Sequence, residues 1–136
     1  MVHLVASRRL LTLALAAVAA AVLAGALLLA QGDQPASAAG TKTVRLSADA
    51  KGKLKFNTSR LTVAHGNVSL VMKNPSGSGL PHAIAVEGKG VDKDGKTVSP
   101  GGTSKVTVTL KKGTYEFYCP VDGHKAAGMK GKLVVK

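Results

Sequence analysis

Residues 118–129 read Tyr-Cys-Pro-Val-Asp-Gly-His-Lys-Ala-Ala-Gly-Met and lie between two segments that have the composition of β-strands. Four residues separate Cys119 from His124, and four more separate His124 from Met129. One predicted strand ends at Cys119 and the next begins near Gly131, so the loop between them can direct three side chains toward one point. Thiolate, imidazole and thioether groups together are ligands that suit copper. The segment therefore predicts a metal site.

Such a site needs a second imidazole, and the sequence contains four histidines. His3 lies in the N-terminal region, and His65 lies in a polar turn beside Gly66. His82 stands between a proline-containing loop and the apolar segment 83–86, a placement that suits a ligand at the edge of a sheet. We therefore select His82 as the remaining ligand and interpret His65 as a turn residue.

Outward from this loop, the chain after residue 40 has the pattern of short strands separated by turns. Residues 105–110 alternate strictly between apolar and polar, and residues 83–86 are apolar throughout, as in a strand buried on both faces. The segment 87–102 is rich in Gly, Asp and Lys and predicts a surface excursion. Further strands are predicted at 43–48, 54–56, 61–64, 68–73, 114–119 and 132–135. About seven short strands without helical periodicity predict an antiparallel β-sandwich.

Residues 1–38 have the organisation of an export segment. Arg8 and Arg9 precede an apolar run that begins at Leu10 and ends at Ala30, and residues 36–38 read Ala-Ser-Ala, a small-residue cleavage site. The run is 21 residues long, which suits a membrane-spanning helix as well as a long signal peptide. Cleaved export and a retained membrane anchor both stay open. Either predicts that the domain 39–136 lies outside the cytoplasm, in the periplasm or at the outer face of the cytoplasmic membrane.

The charge and the aromatic content of this domain restrict the classes of partner that it is expected to bind. From residue 39 onward there are 17 basic and 6 acidic residues, a net charge of +11. Because no aromatic platform is interleaved with the lysines, nucleic-acid binding is not expected. The charge instead predicts an acidic docking surface on a partner protein. The lone Cys119 cannot form an intramolecular disulfide, which strengthens its interpretation as a ligand over that of a small buried hydrophobe.

Residues 41–136 resemble the cupredoxins, the blue copper proteins of the plastocyanin and azurin group, through an upstream His and a C-terminal Cys-His-Met loop. The four-then-four spacing is most similar to rusticyanin and related cupredoxins. The resemblance implies a Greek-key β-sandwich of seven to eight strands, here preceded by an N-terminal apolar helix. It also implies one type 1 copper ion, Cu(I) or Cu(II), with His82, Cys119 and His124 as equatorial ligands and Met129 as the axial ligand. Ala83 departs from the Asn or Ser that many members carry after the first His.

The resemblance implies an exported, monomeric one-electron carrier that exchanges electrons with a redox partner through the edge of His124. The alternative is a copper-handling protein for delivery or sequestration outside the cytoplasm, although the Met-rich or His-rich stretches of delivery proteins are absent. A second alternative is an adhesion module in which Cys119 is incidental. An enzyme is not expected, because four protein ligands leave no open position at the metal.

Overall fold

The computed structural model describes residues 40–136. The predicted signal peptide or anchor, with its apolar helix, lies outside these residues. Within 40–136, no helix is long and apolar enough to cross a membrane.

Eight strands form two sheets around an apolar interior. They are β1 (Lys42–Ser47), β2 (Arg60–Val63), β3 (Gly66–Lys73), β4 (Ala85–Gly88), β5 (Val91–Asp94), β6 (Thr103–Leu110), β7 (Gly113–Tyr118) and β8 (Lys130–Val135). The sheets have the orders β1-β3-β6 and β2-β8-β7-β4-β5. A single 3₁₀ turn, Ser76–Ser78, follows β3.

The strand pairing is mixed. β1 pairs with β3 and β2 pairs with β8 in parallel, whereas the other four pairings are antiparallel. Parallel neighbours require a connection that leaves the pair. Here the chain passes from β1 in one sheet to β2 in the other before it returns to β3. The predicted all-β, two-sheet architecture is confirmed, the expectation of antiparallel pairing throughout is corrected for these two pairs, and the Greek-key connectivity stays a prediction.

Alternation along the strands places apolar side chains between the sheets. In β6, Val106 and Leu110 are buried while Lys105, Thr107 and Thr109 are exposed, as the sequence pattern predicts. Aliphatic side chains dominate the interior, and Phe56 and Phe117 pack with their ring centroids 5.6 Å apart. The residues at 83–86 are all fully buried, as their uniform apolarity predicts, but the strand itself, β4, begins only at Ala85.

Two local expectations differ from the structure. The segment 87–102 contains β5, which pairs with β4 at the edge of the larger sheet. A strand of mostly charged residues is tolerated there because one side of an edge strand faces solvent. Residues 54–56 form no regular strand, only an isolated bridge from Phe56 to Ala48.

Candidate metal centre

The four predicted ligands lie on segments that leave the sandwich at one place. Cys119 directly follows β7, Met129 directly precedes β8, and these two strands are antiparallel neighbours. His124 lies midway in the loop between them. His82 lies three residues before β4, which is the other neighbour of β7. The four residues therefore lie next to the ends of three adjacent strands, β8, β7 and β4, or in the loop that joins two of them.

Backbone hydrogen bonds close the loop into a fixed shape. The Cys119 N–H donates to the Met129 carbonyl over 3.0 Å, and the Met129 N–H donates to the His124 carbonyl over 3.0 Å. The His124 N–H in turn donates to the Val121 carbonyl over 3.0 Å. The three ligand residues of the loop are thus linked through their own backbones, which explains how two four-residue gaps bring them together.

Three donor groups converge. The Cys119 Sγ lies 3.4 Å from Nδ1 of His124 and 3.9 Å from Nδ1 of His82. One donor atom from each residue lies within 4.8 Å of those of the other two. The imidazole centroids are 5.0 Å apart at an interplanar angle of 55°. Met129 is fully buried, and backbone hydrogen bonds join it to Cys119 and His124.

Among residues 40–136, this is the one set of three such donors close enough to hold a metal ion. His65 is outside it: the ring is exposed and its Nδ1 lies 3.0 Å from the Lys136 carbonyl. The sequence interpretation of His65 as a turn residue agrees with this placement.

Burial sets the protonation chemistry of the donors. It raises the pKa of the Cys119 thiol, against the opposing effect of the Ala83 and Val121 backbone N–H groups, which favour the thiolate. Burial also lowers the pKa of His82, with a smaller contribution from His124, so the imidazole is kept neutral. A neutral imidazole has a free lone pair, whereas the thiol must lose its proton on binding a metal. Metal binding therefore releases a proton at Cys119.

Ala83, the residue after His82, is connected to the site through its backbone instead of through a side chain. No side-chain hydrogen bond is available there, but the Ala83 backbone N–H donates to the Cys119 Sγ over 3.4 Å. This bond joins the His82 segment to the Cys119 strand end. Hydrogen bonds around a cysteine sulfur also tune the reduction potential of blue copper sites.

The donor set fits copper. Two imidazole nitrogens and one sulfur lie close together in a buried space, and a buried thioether residue is joined to Cys119 and His124 through its backbone. The outer nitrogen of His82, Nε2, is buried and has no hydrogen-bond partner among the described residues. In contrast to His82, which is fully buried, His124 keeps 8% of its surface exposed.

Sequence reasoning missed two residues that support this site. Lys125 lies beside His124, and its Nζ contacts Glu87 Oε1 at 2.5 Å and Glu116 Oε1 at 3.0 Å, while it stands 4.1 Å from the Tyr118 ring centroid. Asn74 is fully buried near the His82 segment. Its only sequence signal was position, since an Asn at the start of a loop rich in Gly and Ser reads as a turn residue.

Comparison with known proteins identifies related chains. The model of the copper-binding proteins of the plastocyanin/azurin family matches residues 42–136. Reduced auracyanin from Roseiflexus castenholzii superimposes with a TM-score of 0.61 and 24% identity, covering 71% of this chain and 99% of the other. Auracyanin A, a blue copper protein from Chloroflexus aurantiacus, superimposes with a TM-score of 0.57 and 24% identity, covering 71% of this chain and 100% of the other. Copper nitrite reductase from Nitrosomonas europaea superimposes with a TM-score of 0.58 and 25% identity, covering 71% of this chain and 42% of the enzyme.

Proposed function

Since this chain belongs to the plastocyanin/azurin family of copper-binding proteins, we propose that it is a blue copper protein that carries one electron at a time between redox partners. The observation that carries the proposal is the convergence of one thiol and two imidazoles within 4.8 Å in a buried space. Similarity to rusticyanin in the ligand loop stays a prediction.

In this proposal, Nδ1 of His82, Nδ1 of His124 and Sγ of Cys119 would hold the copper ion, and the Met129 thioether would be the fourth and weaker ligand. Sites with two His, one Cys and a weak axial Met are typical of blue copper electron-transfer centres. The bound metal supplies the one-electron couple between Cu(I) and Cu(II). The protein supplies a thiolate and a thioether that suit the reduced ion and imidazoles that suit the oxidised ion.

The backbone network of the loop supports rapid exchange. Cys119, His124 and Met129 are bonded to one another through their main chains, and Ala83 links the His82 segment to the cysteine sulfur. Ligands held in this way move little when the charge of the metal changes. Burial of the three donor residues also excludes water from the site.

We place the docking surface around His124, because this ligand residue keeps 8% of its surface exposed whereas His82, Cys119 and Met129 are fully buried. Small and apolar residues of the neighbouring loops surround the ring in our proposal: Leu80, Pro120, Val121, Ala126 and Ala127. Leu80 is 37% exposed and is the one large hydrophobic residue exposed in the described part of the chain. An apolar surface of this kind permits a brief, close contact with a partner.

Charge then favours an acidic partner. β1, β3 and β6 contain four basic residues, Lys42, Arg45, Lys73 and Lys105, and no acidic residue. Four of the six acidic residues of the domain lie instead on β4, β5 and β7. Long-range attraction between the basic sheet and an acidic partner speeds encounter and weakens with salt. The association rate with such a partner is therefore expected to fall as ionic strength rises, and a constant rate would contradict electrostatic steering.

The proposed carrier acts as a monomer outside the cytoplasm, after export directed by residues 1–38, either freed by cleavage or anchored through residues 10–30. We expect no catalytic turnover, since four protein ligands leave no position for a substrate. Nitrite reduction is the turnover to assay, because the matched copper nitrite reductase shares the fold.

Voltammetry of the copper-loaded protein separates electron transfer from copper delivery. A carrier gives a reversible one-electron couple and keeps its copper over repeated cycles. A copper-handling protein gives up the metal to a Cu(I) chelator during cycling, and the wave decays. Decay of the wave in the presence of the chelator would contradict the carrier proposal.

A further inference from the structure

We propose that Asn74 is the positioning residue for His82, and that it acts through the backbone on both sides of the histidine rather than through its ring. The inference rests on the proposed role of His82 as a copper ligand. Asn74 lies directly after β3 and does not belong to the donor set.

The ring of His82 lacks the usual means of orientation. Metal-binding histidines almost always donate their second ring N–H to a carboxylate, a carbonyl or water, and this bond fixes the ring. The Nδ1 of His82 faces the Cys119 sulfur, and the buried Nε2 has no partner within residues 40–136. No side chain or carbonyl of the described residues orients the ring through Nε2, which leaves its packing and the placement of its backbone to do so.

That backbone is held by a two-way bridge. The His82 N–H donates to the Val98 carbonyl over 3.1 Å, and the Val98 N–H donates to the His82 carbonyl over 2.9 Å. The bridge is isolated, because neither residue belongs to a regular strand. An isolated bridge lacks the neighbouring ladder bonds that stabilise a strand pair, so its geometry depends on what holds the flanking chain.

The carboxamide of Asn74 holds the flanking chain on both sides. Its Nδ2 donates to the Leu80 carbonyl over 2.9 Å and to the Val98 carbonyl over 3.0 Å. Leu80 lies two residues before His82, and Val98 is its bridge partner. The Oδ1 accepts a hydrogen bond of 2.6 Å from the Ser78 hydroxyl. Both hydrogens of Nδ2 and the oxygen of the carboxamide therefore have partners.

The main chain of Asn74 fixes the carboxamide in turn. Its N–H donates to the Gly102 carbonyl over 2.9 Å, and its carbonyl accepts from the Gly101 N–H over 2.8 Å. The side chain is fully buried, so water cannot replace the lost bonds when the donor is removed. A carboxamide with two N–H donors is required, since a carboxylate of the same shape can only accept.

The test uses Asn74→Asp in the full chain, with Cu(II) as the probe. The carboxylate keeps the acceptor for Ser78 and removes both donors to the Leu80 and Val98 carbonyls. We expect copper affinity, measured by competition with a chelator, to fall by about 10- to 100-fold, the range typical of lost outer-sphere partners. We also expect an altered copper hyperfine splitting in the electron paramagnetic resonance spectrum and a shifted reduction potential.

Asn67→Asp is the matched control. Asn67 lies on the same strand, β3, is exposed, and accepts a 2.6 Å bond from the Thr109 hydroxyl that an Asp also accepts. It should leave affinity, spectrum and potential unchanged. Val135→Ala, a core truncation at the far end of β8, reports the effect of lost stability alone and should lower thermal stability without altering the spectrum.

If Asn74→Asp does not fold, Ser78→Ala decides the question. It removes the bond to Oδ1 and leaves both Nδ2 donors in place, so a smaller shift in the same direction is expected. If Asn74→Asp folds and keeps wild-type affinity and spectrum, the inference is overturned and the proposed function is not. The same holds for Ser78→Ala if Asn74→Asp does not fold. A wild-type spectrum in His82→Gln would overturn the proposed ligand set and this inference with it.

Discussion

Lys125 connects the metal-binding loop to the larger sheet, and its replacement gives a quantitative test of that connection. Its Nζ bridges Glu87 on β4 and Glu116 on β7, and the ammonium lies over the Tyr118 ring. Ion pairing with these carboxylates, chiefly Glu87, raises the pKa of Lys125. We expect Lys125→Met, which keeps the aliphatic stem, to lower the free energy of unfolding of the metal-free protein by about 1 kcal/mol.

The magnitude follows from exposure and from the charges left behind. The three side chains are 36%, 38% and 35% exposed, so each ion pair is partly screened and contributes about 0.2–1 kcal/mol. The cation over the half-buried Tyr118 ring adds up to about 1 kcal/mol, offset by the desolvation of the ammonium. Glu87 and Glu116 are direct cross-strand partners, so the loss of Lys125 leaves two like charges opposed.

Urea denaturation at low salt and at 1 M salt measures the effect. At 1 M salt the Debye length is about 3 Å, so the difference between wild type and variant should shrink by at least about half. Adding Glu116→Gln to Lys125→Met should recover part of the loss, because it removes the opposed charge. Lys130→Met is the control, since Lys130 is exposed and makes no ion pair within residues 40–136. Equal losses in both lysine variants, or a difference insensitive to salt, would refute the reasoning.

Three further predictions concern packing, pH and the axial ligand. Gly131→Ala should lower the free energy of unfolding by about 1–3 kcal/mol in thermal denaturation, because a Cβ there would lie 2.7 Å from Cε1 of Phe117. Gly40→Ala is the control and should leave stability unchanged, because a Cβ at residue 40 would meet no atom within 4 Å. In the metal-free protein, burial lowers the pKa of His82 below its ordinary 6.5, so stability is lost as pH falls below about 6.5; His82→Gln should flatten this loss in denaturation curves. Met129→Leu should keep the blue colour and raise the reduction potential in voltammetry, because the oxidised ion loses more from a missing donor; an unchanged potential would argue against axial ligation.

The ligand loop was predictable because its information is local. The spacing of Cys119, His124 and Met129 lies within one strand-loop-strand unit, and the alternation of β6 fixes which side chains face the core. Both features depend on short-range periodicity. The structure places Nδ1 of His82 3.9 Å from the cysteine sulfur, as the choice of this histidine requires, and its role as a ligand stays a prediction.

The support around the site was not predictable from local pattern. The edge strand β5 carries too many charged residues to resemble a strand, and its pairing with β4 and the packing of Val91 against the core stabilise it. The parallel pairing of β1 with β3 depends on a crossover through the other sheet. The contacts of Asn74 with Val98, and of Lys125 with Glu87, join residues far apart in sequence, so no single stretch encodes them.

Titration of the metal-free protein with Cu(II), followed by visible absorbance, tests the central claim most directly. The account predicts an intense blue band that saturates at one copper ion per chain, is lost in Cys119→Ser and survives in His65→Ala. A zinc-loaded preparation is stripped with a chelator first, because zinc also accepts Cys and His ligands. A stripped protein that stays colourless after Cu(II) addition, or a Cys119→Ser variant that turns blue, would contradict the claim.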